Sequence, residues 1–111
     1  MGHWTVGITK GETLRLSFVN VGTVRTVVFC GLWQNPPLIQ GSHVLEPGNS
    51  DICDLRGADV PDEQFDRTGR VQVRAFIKSS DRAIRANLEI FDSGSGRTSL
   101  VLPLQEFSGI G

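Results

Sequence analysis

The fold class of this chain follows from one stretch, residues 70–92, which reads RVQVRAFIKSSDRAIRANLEIFD. Apolar and polar residues alternate on both sides of the short polar break Ser79–Ala83. Side chains on a strand point to opposite faces with a period of two, so each run predicts a strand with one apolar and one wet face. We expect the two strands to form a β-hairpin that covers a core and turns its other side to water.

Further strand signals recur along the chain at intervals of about ten residues. Besides the two runs above, the predicted strands are His3–Thr9, Thr13–Val21, Arg25–Trp33, Ile39–Leu45, Ser50–Leu55 and Thr98–Leu102. The run Arg25–Trp33 is apolar at nearly every position, which favours a central strand buried on much of both sides. Glu46–Asn49 has Pro then Gly at its centre, the signature of a type II turn. Together these signals predict an all-β fold, an Ig-like two-sheet antiparallel β-sandwich of about seven or eight strands.

The length of 111 residues suits one domain with one core. We expect a single β-sandwich domain over residues 1–103 and a loosely attached C-terminal tail over residues 104–111. The longest irregular segment, Arg56–Thr68, is polar and contains a single aromatic side chain, Phe65, which we expect to plug one end of the core.

Three phrases of the sequence occur together in a known order. They are ITKGETLRLSFVN at residues 8–20, LEPGNS at 45–50, and RVQVRA at 70–75 continuing through NLEIFD at 87–92 to SGRT at 95–98. In this the chain resembles a group of small bacterial Ig-like or fibronectin-like β-sandwich proteins that are often exported and largely uncharacterised. The resemblance implies the sandwich fold and, more loosely, export, and it carries no catalytic residues. The chain departs from that pattern in residues 33–37 and after Pro103.

Charge and hydropathy exclude two classes of partner. The formal net charge is −1 and the eleven Lys and Arg residues are scattered, so we expect no nucleic-acid binding. No stretch approaches the ~20 apolar residues that span a bilayer, so we expect no membrane insertion. The N-terminus lacks the pattern of a signal peptide. The resemblance nevertheless favours an extracellular or periplasmic location, with a cytoplasmic one as the alternative.

The sequence contains no recognisable catalytic or metal-binding motif, so we predict no enzyme, no catalytic residues, no metal and no cofactor. The two histidines, His3 and His43, are not next to a nucleophile motif, and His43 is expected to be a partly exposed strand residue. Asp59, Asp62 and Asp66 could together bind calcium, although their spacing does not fit an EF-hand and a solvated acidic loop is favoured. The histidines and cysteines have no zinc-finger spacing.

The two cysteines, Cys30 and Cys53, both fall in predicted strands. They are either a disulfide, which would be worth on the order of 3 kcal/mol, or two buried thiols that act as small apolar residues. The sequence leaves both readings open.

Three aromatic residues could form a contact surface. Phe76 and Phe91 fall on the predicted water-facing side of adjacent strands, and Trp33 borders a proline loop. Alternatively, loops or the tail, through Phe107, cover them. The sheet edges could also pair with another chain, with His3–Thr9 or Leu104–Ile110 as the donated strand.

The leading hypothesis is therefore a non-enzymatic structural or protein-interaction module, with a protein partner or a second copy bound through edge strands. The alternative is a small carbohydrate- or ligand-binding module that uses the Trp33 loop.

Overall fold

The structure, a computed structural model, describes residues 2–34 and 38–103. These residues form eight strands: β1 (Gly2–Thr9), β2 (Glu12–Asn20), β3 (Thr26–Trp33), β4 (Leu38–Leu45), β5 (Ser50–Arg56), β6 (Arg70–Ser79), β7 (Ile84–Asp92) and β8 (Thr98–Pro103). Two single 3₁₀ turns, Gly57–Asp59 and Asp62–Gln64, lie between β5 and β6. The all-β prediction is confirmed for the described part of the chain.

The strands form two antiparallel sheets that pack face to face. Sheet A has the order β1-β6-β3-β4 and sheet B has the order β5-β2-β7-β8. The chain crosses from one sheet to the other at every connection except β3–β4 and β7–β8, which are hairpins within one sheet. This architecture confirms a two-sheet antiparallel sandwich. Its Ig-like character stays a prediction.

Alternation along the strands builds the core. The inward side chains of both sheets interlock between them, as the pleat requires. The largest fully buried side chains include Ile8, Leu14, Leu16, Phe18, Leu32, Leu55, Ile77, Ile84 and Leu88. Phe65 packs against this core from the irregular segment, and Lys10 binds the same segment through Asp62 (2.6 Å) and the Val60 carbonyl (2.6 Å).

The expected hairpin between β6 and β7 is wrong. Both runs are strands with the predicted inward residues, but β6 belongs to sheet A and β7 to sheet B. Ser80–Ala83 forms an arch between the sheets, held by hydrogen bonds from the Ser80 N–H to the Val27 carbonyl and from the Val21 N–H to the Ala83 carbonyl. Alternation reports which side of a strand is buried and says nothing about its partner, so a hairpin and an arch have the same signature.

The expectation that β3 is buried on much of both sides holds only in part. β3 is an interior strand of sheet A whose inward residues are buried, but on its outer side only Gly31 is buried and Phe29 is partly buried. On its outer side Val27 and Trp33 are 46% and 45% exposed. The continuous apolar run therefore arises from a core-facing row and a second apolar row that faces outward.

The predicted type II turn is confirmed by the Asn49 N–H donating to the Glu46 carbonyl (3.0 Å) and by a positive φ of 87° at Gly48. The buried Asn20 lies beside this turn. Its amide nitrogen donates to the Val24 carbonyl (2.8 Å) and the Leu45 carbonyl (2.9 Å), so one side chain ties two loops to the end of β2.

Several predictions concern residues outside the described ranges. These are the tail over residues 104–111, including Phe107 and the strand Leu104–Ile110, and the loop residues Asn35, Pro36 and Pro37. The domain boundary at 103 stays a prediction. Within residues 2–34 and 38–103, no helix has the length and apolar character needed to cross a membrane.

Candidate functional site

The outer side of sheet A carries a cluster of apolar side chains, which we call the aromatic face. Cross-strand pairing places its members side by side: Val27 is opposite Val44 of β4, and Trp33 is opposite Arg74 of β6. Its members are Val27, Phe29, Trp33, Val44 and Phe76. Val27, Trp33 and Val44 are about half exposed, whereas Phe29 and Phe76 are partly buried. Large apolar side chains rarely gather on a free surface without a role.

The geometry of the aromatic face depends on a glycine. Phe76 lies across Gly31, where an added Cβ would come within 2.3 Å of the Phe76 ring. In this position the ring also contacts Phe29, with centroids 5.7 Å apart. The missing side chain at Gly31 therefore lets two aromatic rings lie flat on the sheet instead of projecting into water. An open hollow of about 380 Å³ adjoins them, lined by Val27, Phe29, Lys78, Ser79 and Ser80.

The polar residues on this side are cationic or neutral. Arg74 places its guanidinium 5.1 Å from the centre of the Trp33 ring, a cation–π contact, and Lys78 lies across from Phe29. Among the described residues that share this outer side, none is acidic.

The outer side of sheet B is different. Arg15 at its centre makes a bidentate pair with Asp54 (2.9 and 2.8 Å), and Glu89 lies opposite Arg15. Phe91 is on this side, half-buried, with the Arg15 guanidinium 4.9 Å from its ring centre. The three aromatic residues singled out in the sequence therefore do not form one surface. Trp33 and Phe76 share the aromatic face, while Phe91 lies on the opposite side of the sandwich because β6 and β7 belong to different sheets.

Strand β4 forms the edge of sheet A next to the aromatic face. Its sequence, LIQGSHVL, contains no Lys, Arg, Asp, Glu or Pro, the residues that usually protect an edge from pairing. Strand β5, the edge of sheet B on the same side of the sandwich, carries Asp51, Asp54 and Arg56. The β4 edge and the aromatic face are continuous through Val44, which is 53% exposed.

Beneath the same edge, Cys30 and Cys53 form a disulfide that joins β3 of sheet A to β5 of sheet B. Both cysteines are buried, and the bond closes a loop with a sequence separation of 23. Of the two interpretations that the sequence left open, the structure contains the disulfide. No free cysteine is present in the described chain, which contains both.

His43 lies directly beside this disulfide. Its Nε2 is 3.4 Å from Cys30 Sγ, its Nδ1 is 2.8 Å from an Asp51 carboxylate oxygen, and its ring packs edge-on against Phe18. Because the carboxylate can only accept, Nδ1–H is the donor, and Nε2 is the ring nitrogen that faces the sulfur. The Ile52 backbone N–H, together with the His43 ring, holds the pKa of Asp51 below its ordinary value.

This cluster was missed in the sequence because its members come from three strands. Cys30, His43 and Cys53 offer ligand atoms that lie within 4.8 Å of one another, yet no spacing motif connects them. One usable signal existed: strand alternation puts His43 on the same side as the buried Leu45, and therefore toward the core.

The Cys30–His43–Asp51 chain has the order of a nucleophile, a base and an orienting carboxylate. In this structure the Cys30 sulfur is bonded to Cys53 and fully buried, so it is not available to attack a substrate. The arrangement can instead serve structure, or ligand binding once the bond is opened.

The three carboxylates considered for calcium do not gather. Asp62 pairs with Lys10, and Asp66 accepts hydrogen bonds from the N–H and hydroxyl of Thr68 in its own turn. Within the described residues, three potential metal ligands come together only at Cys30, His43 and Cys53.

Comparison with known proteins gives no further assignment. No protein-family model matches the chain, and no curated protein or solved structure is similar to it at a significant level.

Proposed function

We propose that this chain is a non-enzymatic interaction module that associates with a second copy of itself through the β4 edge of sheet A. The observation that carries the proposal is the continuity of an uncharged edge strand with an exposed apolar surface, through Val44 and Val27. The finer interpretation as an Ig-like protein of bacterial origin belongs to the same proposal.

The two outer sides of the sandwich differ, and the difference favours association through sheet A. Sheet B presents the Arg15–Asp54 ion pair to water, as expected of a solvated face. Sheet A presents aromatic and aliphatic side chains, which gain free energy when they leave water. The clustering of these side chains on sheet A therefore gives association there a hydrophobic driving force.

The β4 edge favours an identical strand as the occupant. Antiparallel pairing of β4 with its own copy is a self-complementary contact about a twofold axis, and it opposes no charged side chains of this strand. The nearest cations on the aromatic face, Arg74 and Lys78, lie on β6, two strands from the edge. Across a paired edge the two β6 strands would be about 24 Å apart at ~4.8 Å per strand. That distance exceeds the Debye length of about 8 Å, so their repulsion is screened.

The expected affinity is modest. Pairing along the eight residues of β4 adds backbone hydrogen bonds worth about 0.5–1.5 kcal/mol each. The loss of translational and rotational freedom costs at least about 4 kcal/mol. At most about 8 kcal/mol remains, which corresponds to a dissociation constant of about 1 μM at the tightest.

The carbohydrate-binding alternative rests on the half-exposed Trp33. Sugar platforms use the open face of an aromatic ring, and here the Arg74 guanidinium already covers one face of the Trp33 indole. That contact favours the edge over the Trp33 loop as the binding element.

The buried disulfide supports a working environment outside the reducing cytosol, because structural disulfides persist in oxidising compartments. An extracellular or periplasmic location is part of the proposal on this ground. Occupation of the Cys30 sulfur in the bond likewise supports a non-catalytic role.

Sedimentation equilibrium of the purified chain tests the proposal. We expect a concentration-dependent dimer across the micromolar range that Val44→Lys converts to a monomer, since a lysine on an edge strand opposes pairing. Val101→Lys is the matched control: Val101 is 49% exposed and lies on β8, the edge strand of sheet B on the other side of the sandwich.

A wild-type chain that stays monomeric at all concentrations would refute self-association. If Val101→Lys dissociates the dimer and Val44→Lys does not, the contact is made by sheet B and the proposed β4 interface is refuted. A shift in tryptophan fluorescence on addition of glycans, abolished by Trp33→Ala, would support the carbohydrate-binding alternative instead.

A further inference from the structure

The cluster beneath the β4 edge has a second use beyond bracing the two sheets. We propose that, once the disulfide is reduced, Cys30, Cys53 and His43 bind a thiophilic divalent cation, with Zn²⁺ as the reference ion. This proposal is independent of the oligomeric state, because the three ligands come from one chain.

The distances agree with tetrahedral coordination. Zinc–sulfur bonds are about 2.3 Å and zinc–nitrogen bonds about 2.0–2.1 Å, so a cysteine sulfur and a histidine nitrogen on one zinc ion lie about 3.6 Å apart. Cys30 Sγ and His43 Nε2 are 3.4 Å apart in the oxidised protein. One ligand pair therefore already has nearly the required separation.

The backbone leaves room for the second sulfur. The Cα atoms of Cys30 and Cys53 are 6.9 Å apart, at the wide limit for a disulfide, so the sulfurs can separate on reduction without drawing the sheets together. Gly41 faces the same side of β4 as His43, and a Cβ there would lie 3.6 Å from Nε2. Because Gly41 has no side chain, this flank of the imidazole nitrogen is open.

Asp51 completes the arrangement as an orienting group. It accepts the Nδ1–H of His43 at 2.8 Å, which fixes the tautomer with the Nε2 lone pair toward the sulfurs. Metal-binding histidines almost always have such a carboxylate or carbonyl partner on the other ring nitrogen.

The chemistry balances with a thiol or phosphine reductant. The reductant supplies two electrons, the S–S bond breaks, and two protons from solvent give two thiols. Binding of the cation then releases those two protons, leaving two thiolates and a neutral imidazole as ligands. The two thiolate charges neutralise a divalent ion, and water or a small ligand takes the fourth position.

The test is metal titration of the full chain, reduced with a phosphine that does not bind the metal. We expect one Zn²⁺ per reduced chain and none in the oxidised chain. Co²⁺ should give thiolate-to-metal absorption in the reduced chain alone. Asp51→Asn should weaken Zn²⁺ binding about 10–100-fold, and His43→Gln should weaken it more. Asp54→Asn is the matched control, because Asp54 is on the same strand but faces outward toward Arg15, and should leave the affinity unchanged.

Reduced wild-type chain that binds Zn²⁺ no more tightly than the Cys30→Ser/Cys53→Ser double variant would overturn the proposal. An affinity unaffected by His43→Gln would do the same. If reduction unfolds the sandwich, circular dichroism gives the answer: recovery of the β-sheet spectrum on adding Zn²⁺ supports the site, and failure to recover at saturating Zn²⁺ overturns it.

Discussion

Reduction of the Cys30–Cys53 bond, with a chelator present to exclude metal, should lower the free energy of unfolding by about 3.4 kcal/mol. The figure follows from the sequence separation of 23, because the cross-link removes the closure entropy of that loop from the unfolded chain. The thiols remain in place, so no cavity forms and the loss reflects the cross-link itself. For a chain of 111 residues the same loss corresponds to a fall of about 15 °C in the melting temperature.

The assay is urea unfolding of the oxidised and reduced chains, followed by far-ultraviolet circular dichroism and tryptophan fluorescence. Coincidence of the two signals checks for two-state behaviour. The reduced chain should also expose more surface on unfolding and give a larger m-value, because its unfolded state is less compact. A difference below about 1 kcal/mol would contradict the loop-entropy calculation, which requires about 3.4 kcal/mol.

Three further perturbations follow from single contacts. Gly31→Ala should destabilise the fold by about 1–2 kcal/mol, because the added methyl group displaces the Phe76 ring. In a Phe76→Ala background the same change should stabilise the fold by about 0.5–1 kcal/mol, because alanine is more favourable than glycine within a strand. Asn20→Asp should cost about 3 kcal/mol, because it replaces a buried donor to two carbonyls with an acceptor. The hydroxyl and N–H of Thr68 hold the pKa of Asp66 below its ordinary 3.8. The stability that this carboxylate contributes is therefore present above about pH 5 and is lost as the pH falls through 3.8 and below. Asp66→Asn should make the loss of stability in acid shallower.

Equilibrium urea unfolding measures each of these effects. Asn87→Asp, an exposed amide on β7, is the control for Asn20→Asp and should change the stability by less than about 0.5 kcal/mol. If Gly31→Ala lowers the free energy of unfolding equally with and without the Phe76 ring, the ring is not what occupies the space above Gly31. An acid transition identical in the wild type and Asp66→Asn would contradict the linkage argument.

Strand alternation was sufficient to predict the two-sheet sandwich, because one-sided burial leaves a period of two in the sequence. It could not predict which strands pair. Ser80–Ala83 is equally compatible with a turn in one sheet and an arch between two, and the choice depends on contacts made with Val21 and Val27, far away in the chain. The same limit explains why Phe91 was placed beside Phe76.

The candidate sites differ in how far the sequence could predict them. Alternation along a single strand predicts that Phe76 faces water, and the proline loop beside Trp33 marks that residue. The Cys30–His43–Asp51 contacts depend on the register between β3 and β4 and on the packing of β5 against them from the other sheet, which no local pattern encodes. For the aromatic face, the nearly continuous apolar run of β3 was a usable signal, because its outward-facing residues belong to that face.

Hydrogen exchange of the wild-type chain at several protein concentrations reports on the backbone of each edge strand separately and therefore locates the self-association surface. We expect amide protons of β4 to become more protected as the protein concentration rises through the micromolar range, while those of β8 do not change. Equal exchange of β4 at every concentration, or protection that grows on β8 instead, would contradict this expectation.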